Sequence, residues 1–117
     1  MATKVLEANV RQVGPVAIID LRGEIDVFGE ETLNAAYRQA ETQNPKAVLL
    51  NFTGVDYINS TGIALIVGLL AQARKAGRHL LTSGLSSHYV EIFQITRLAD
   101  FMNIYPDEAT ALAQNAA

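Results

Sequence analysis

Short apolar runs and stretches of helical spacing alternate along this chain of 117 residues. Such alternation folds as strands linked by helical crossovers, with the strands in one sheet and the helices packed on it. The clearest run is Ala47–Phe52, AVLLNF. A continuous apolar run suits a central strand covered on both faces. Before it, Glu30–Gln43 places Leu33, Ala36, Tyr37 and Ala40 on one helical face. Asn44-Pro45 ends that helix, because a residue before proline disfavours helical geometry. After the run, a helix is expected from about Ser60 to Ala76. Gly77 stops it, and Arg74 and Lys75 sit at the end where the helix dipole favours cations.

The flanking segments complete the order. Lys4–Val13 and Val16–Leu21 read as strands joined by a Gly14-Pro15 turn, so they should pair antiparallel at a sheet edge. RGEIDVFG, bounded by glycines, reads as a polar loop, and TGVDYIN as another. His79–Thr82 is a short strand. SGLSS is a loop in which Ser86 or Ser87 can cap a helix through Gln94. Phe101–Tyr105 is a last strand, and Pro106 opens a final helix, Asp107–Gln114, acidic in its first turn. The expected order is β-β-α-β-α-β-α-β-α: an α/β chain forming one domain over residues 1–117, with a mixed β-sheet and helices packed on it.

Composition narrows the function. Half of the residues are hydrophobic and 18% are charged, which supports a packed core rather than disorder. A net charge of −3 without a basic patch argues against a nucleic-acid partner. Without cysteine there is no disulfide or thiol chemistry. The first thirteen residues lack the apolar core of a signal peptide. Gly62–Ala71, the longest apolar run, is short of the roughly 18–20 residues that span a bilayer. A cytoplasmic protein without a membrane partner is expected. His79 and His88 are not at metal-ligand spacing, and no metal site is expected. GLSSH lacks the second glycine of a nucleophile elbow, and there is no phosphate-binding glycine loop. Glu24 and Asp26 in GEID read as a solvated turn. No catalytic residues and no cofactor emerge, so the chain reads as a binding module and not an enzyme.

The strand-to-helix junction Asn59-Ser60-Thr61-Gly62 stands out. As a helix cap it needs one polar side chain. It offers two further hydroxyls, and a glycine in the first turn, where glycine weakens a helix. A helix start favours an added anion, so a hydroxyl here can carry phosphate without unfolding its domain. On this reading Gly62 leaves open space for a modifying kinase. In the helix itself, Ile63, Ile66, Val67 and Leu70 form a stripe expected to face the sheet. Ala64, Leu65, Gly68 and Leu69 fall on adjoining faces. Those faces are either buried by neighbouring helices or offered to a partner, which would make Leu65 and Leu69 contact residues.

The chain resembles the STAS family, and within it the bacterial anti-sigma factor antagonists. The resemblance rests on LRGEIDV, VLLNFTGVDYINSTGIALIVGLL, GRHLLTSGLS and VEIFQITRLADFMNIYPDEATAL, nearly the whole chain. It implies that Asn59-Ser60-Thr61-Gly62 matches the family's Asp-Ser-[Ser/Thr]-Gly phosphorylation motif, with Thr61 the acceptor and Ser60 its neighbour. Asn59 stands where the family usually has aspartate. Asp26 matches a loop aspartate that lies near the acceptor and helps to engage the kinase. The partner-binding set implied is Asp26, Asn59, Ser60, Thr61 and Gly62, joined by Leu65 and Leu69 from the helix reading. The mechanism implied is partner switching. The unphosphorylated protein binds an anti-sigma factor that is also a serine/threonine kinase, and so releases a sigma factor. Phosphorylation on Thr61 ends that complex, and a metal-dependent serine/threonine phosphatase reverses the mark. The alternative is another use of the same fold, as a scaffold subunit of a signalling assembly or an accessory subunit of a transporter.

Overall fold

The computed structural model describes residues 4–116; the expected domain ends at Met1 and Ala117 lie outside them. Five strands form one sheet in the order β1-β2-β3-β4-β5. β1 (Glu7–Val13) pairs antiparallel with β2 (Val16–Ile25). β2, β3 (Ala47–Ile58), β4 (His79–Ser83) and β5 (Asn103–Tyr105) then run parallel. The mixed sheet with an antiparallel edge strand is as the sequence led us to expect.

Strand order equal to chain order dictates where the helices go. Parallel crossovers are right-handed. When each crossover steps to the next strand in one direction, all the connecting helices fall on one face. α1 (Glu30–Glu41), α2 (Ser60–Lys75) and α3 (Ser87–Ile95) do so. They pack with Ala17, Ile19, Leu21, Val48, Leu50 and Phe52 in the larger core. α4 (Glu108–Gln114) follows the last strand and turns to the other face, where Ala111 meets Val16, Ile18, Ala47, Leu49 and Leu81. β3 therefore alternates between the two cores, as its continuous apolar run requires. α1 buries Leu33, Ala36, Tyr37 and Ala40, the predicted face.

Three expectations are corrected. RGEI is strand rather than loop: β2 continues to Ile25, with Gly23 opposite Val55 and Glu24 opposite Tyr57. TGVDYI is likewise strand, and β3 runs to Ile58. The two polar extensions pair with each other across register shifts, so each supplies the hydrogen bonds that makes the other a strand. Phe101 is not in β5. It follows a 3-10 turn, Leu98–Asp100, and stays exposed, while Met102 is buried.

Candidate functional site

The long β2 and β3 end together, and their ends build the site. Ile25 lies opposite Ile58. One residue further, the Asn59 N–H donates to the Ile25 carbonyl at 3.2 Å. Asp26 then leads into a 3-10 turn, Val27–Gly29, while Asn59 leads into α2. The turn packs against the start of the helix. From α3, Tyr89 fixes the same place: its hydroxyl accepts from the Ile58 N–H at 2.8 Å and donates to the Ile58 carbonyl at 3.3 Å. Ser86 caps α3, its hydroxyl accepting from the Tyr89 N–H at 3.4 Å.

Asn59 is the N-cap of α2. Its side-chain oxygen accepts from the Gly62 N–H at 2.8 Å. This satisfies one of the free donors of the first turn. Ser60 and Thr61 follow as the first two helical residues, and both are exposed. The cap therefore does not draw on either hydroxyl. The first turn of α2 carries no acidic side chain, so the positive end of its dipole is uncompensated by the helix itself.

Gly62 departs from expectation. It is buried, and the space beside it is occupied rather than open. A Cβ added there would overlap the Ile25 carbonyl oxygen and stand 2.9 Å from Ile58 Cγ2. The glycine lets the helix start sit on the ends of β2 and β3, and it offers no surface to a partner.

The face of α2 is also rotated from the predicted one. The buried set is Gly62, Ile66, Leu69, Leu70 and Ala73, whereas Val67 is 43% exposed. Leu69 is fully buried in the larger core, so it cannot be a contact residue of the folded protein. Leu65 and Ile63 are half-buried against that core and keep part of their surface. α2 packs on β2, β3 and β4 and also beside α1, and Ile66, Leu69, Leu70 and Ala73 all join the larger core.

Asp26 is half-buried and caps the 3-10 turn, accepting from the Phe28 N–H at 3.0 Å. The structure thus brings Asp26, Asn59, Ser60 and Thr61 to one end of the sheet. It also shows what the sequence reading missed: Val27 and Phe28 stand exposed there. The available signal was an apolar pair inside an otherwise polar, glycine-bounded segment. His79 and His88 are both exposed: His79 starts β4, and His88 in α3 packs its ring edge-on against Tyr89 at 4.9 Å between centroids. Among the described residues no group of three metal-ligating side chains forms, and no helix is long and apolar enough to cross a membrane.

The chain belongs to the STAS domain family, whose model matches residues 7–111. It is 29% identical over 98 residues to the anti-sigma-B factor antagonist of Listeria monocytogenes serovar 1/2a, spanning 84% of this chain and 86% of that one. An anti-sigma factor antagonist from Mycobacterium paratuberculosis has the same fold, with a TM-score of 0.77 at 19% identity over 97% of this chain and 96% of that one. The Bacillus cell fate determinant SpoIIAA in its phosphorylated form also shares it, with a TM-score of 0.70 at 21% identity over 92% and 97%.

Proposed function

We propose that this STAS domain is an anti-sigma factor antagonist that works by partner switching. Unphosphorylated, it binds an anti-sigma factor that is also an ATP-dependent serine/threonine kinase, and a sigma factor is released. The kinase transfers the terminal phosphoryl group of ATP to the Thr61 hydroxyl. The hydroxyl proton is lost and ADP leaves. A metal-dependent phosphatase later hydrolyses the ester. ATP and its magnesium belong to the kinase, and this chain supplies the acceptor and the docking surface.

The observation that carries the reading is that Asn59 does the capping and leaves the exposed Ser60 and Thr61 hydroxyls uncommitted. A phosphate added at Thr61 lies in the first turn of a sixteen-residue helix, where N–H groups and dipole favour an anion. The domain keeps its fold while the first turn of α2, which carries no acidic side chain of its own, acquires about −1.5 to −2 charges. A partner seated over that turn then has to desolvate the phosphate, which is costly. The names of the relatives support the same reading.

The test is incubation of the purified protein with soluble native-host extract and Mg·ATP, followed by intact mass and peptide mapping. One phosphoryl group on Thr61, absent in Thr61→Ala, is the expected result. Failure to modify both the wild type and Asn59→Asp would return Ser60 and Thr61 to ordinary helix positions and favour a scaffold or transporter-subunit role.

A further inference from the structure

We propose that the end of the sheet opposite Thr61 is a second docking surface, which takes an acidic segment of a partner protein with an apolar side chain in it. The inference goes beyond the partner-switching reading and does not depend on it. β3 runs from Ala47 to Ile58, and Asn59 and Thr61 follow at its far end. At the near end Ala47 lies opposite Val16 on one side and His79 on the other. Two grooves open there and meet at Gly77 and His79. Lys46 lines one, and Arg74, Arg78 and Phe101 line the other.

Charge singles this end out. Lys4, Arg11, Arg38, Arg78 and Arg97 each pair with a carboxylate. Among the described residues Arg22, Lys46, Arg74 and Lys75 have no ion-pair partner. All of these but Arg22 stand at the groove end. No acidic side chain among the described residues lines either groove. The carboxylates alongside are engaged, Glu41 by Arg78 at 3.1 Å and Asp100 by Arg97 at 2.6 Å. This end is therefore positive in a chain whose net charge is −3. Its cations come from two separate segments, one before β3 and one at the end of α2, so no basic run announces them in the sequence. The helix dipole accounts for Arg74 and Lys75, but not for Lys46 or for an exposed aromatic ring beside them.

Phe101 supplies the apolar half. It is 54% exposed, and the Arg74 guanidinium lies 5.3 Å from its ring centroid. A guanidinium stacked on a ring keeps its in-plane N–H donors for a carboxylate. Aromatic and arginine side chains are enriched at protein interfaces. A segment that sets an apolar side chain on Phe101 and carboxylates against Arg74 and Lys46 satisfies both halves. A long nucleic acid would meet the chain's excess of negative charge elsewhere, whereas a short acidic segment meets only this end. The groove lies roughly 35 Å from Thr61 along β3. That is several times the ~8 Å screening length at physiological salt, so the occupant stays bound in either state of Thr61.

The test is fluorescence anisotropy at low ionic strength, with a labelled short peptide of glutamates around one phenylalanine as the probe. Circular dichroism checks the fold of each variant. The wild type is expected to bind saturably. Arg74→Glu and Lys46→Glu should each weaken binding about tenfold, since a lost attraction becomes a repulsion. Phe101→Ala should weaken it about fivefold. Arg22→Glu makes the same change in net charge further along β2, opposite Gly54, and should alter binding by less than about twofold. An equal loss in Arg22→Glu would reduce the attraction to net charge and overturn the docking surface. Absence of saturable binding would do the same, as would equal binding of a glutamine version of the peptide. Tighter binding of a thymidine oligonucleotide of matching charge would overturn the assignment to an acidic protein segment.

Discussion

Gly62 rests on the carbonyl of Ile25, so closely that its α-carbon leaves no room for a side chain. This contact seats the N-terminus of α2 on the end of β2. It sets where the hydroxyls of Ser60 and Thr61 emerge, and it makes the glycine a packing requirement rather than an opening for a partner.

Gly62→Ala should therefore destabilise the domain, even though alanine is the better helix former by about 1 kcal/mol. The overlap is with backbone and cannot be relieved by a side-chain rotation. Overpacking of this kind costs about 1–3 kcal/mol. A urea titration should show a lower midpoint with an unchanged slope, and a more stable variant would refute the assignment.

Asn59 tests the cap. Asn59→Ala loses the bond to the Gly62 N–H and should cost about 1 kcal/mol. Asn59→Asp keeps the acceptor and adds a charge at the favourable end of the helix dipole, with a gain of about 0.3–1 kcal/mol at low salt. The thermal midpoints should rank Asp above Asn above Ala, with the Asp advantage shrinking as salt is added.

The rotated face of α2 gives a paired prediction. Leu69→Glu buries an unpaired carboxylate in the core and should lose several kcal/mol, about 3 or more, or fail to fold. Val67→Glu lies on the exposed side and should stay within about 0.5 kcal/mol of the wild type. Circular dichroism and melting curves of the two variants separate the faces directly.

Arg11 links the sheet edge to α4. Its guanidinium donates to Asp20 through Nε at 2.6 Å and Nη2 at 3.0 Å, and it also pairs with Glu108. The hydrogen bonds from Arg11 hold the Asp20 carboxyl below its ordinary range, and Asn51 adds a further bond at 2.8 Å. A carboxyl whose folded pKa is depressed contributes stability above its unfolded pKa, about 3.9. That contribution is lost as pH falls through the depressed value. Asp20→Asn should be less stable than the wild type at neutral pH, with the difference narrowing below about pH 4. Chemical denaturation at several pH values reads the difference, and a gap that widened in acid would contradict it.

Much of the fold was legible in the sequence because its signals are local. The two-sided run of Ala47–Phe52, the period of Leu33, Ala36, Tyr37 and Ala40, and the stop at Gly77 each report their own segment. Gly77 adopts a φ of +74°, the left-handed geometry that ends a helix without strain. The order of these segments fixes a parallel sheet with an antiparallel first strand. The cluster Asn59-Ser60-Thr61 was visible for the same reason, as polar residues gathered at one boundary.

Tertiary structure alone decided the rest. RGEI and TGVDYI carry too few apolar residues to announce strands, and they become strands because each finds the other across the sheet. Leu69 and Val67 are both apolar on one helix, and only the way α2 seats on the sheet and its neighbours determines that Leu69 is buried and Val67 exposed. Gly62 could equally have marked open space, until the Ile25 carbonyl filled it. Asp26 and Thr61 are thirty-five positions apart in the sequence, and they share one end of the sheet because β2 and β3 stop in register at Ile25 and Ile58. Local propensity writes the elements, while burial and backbone pairing between distant segments choose which side chains remain outside to act.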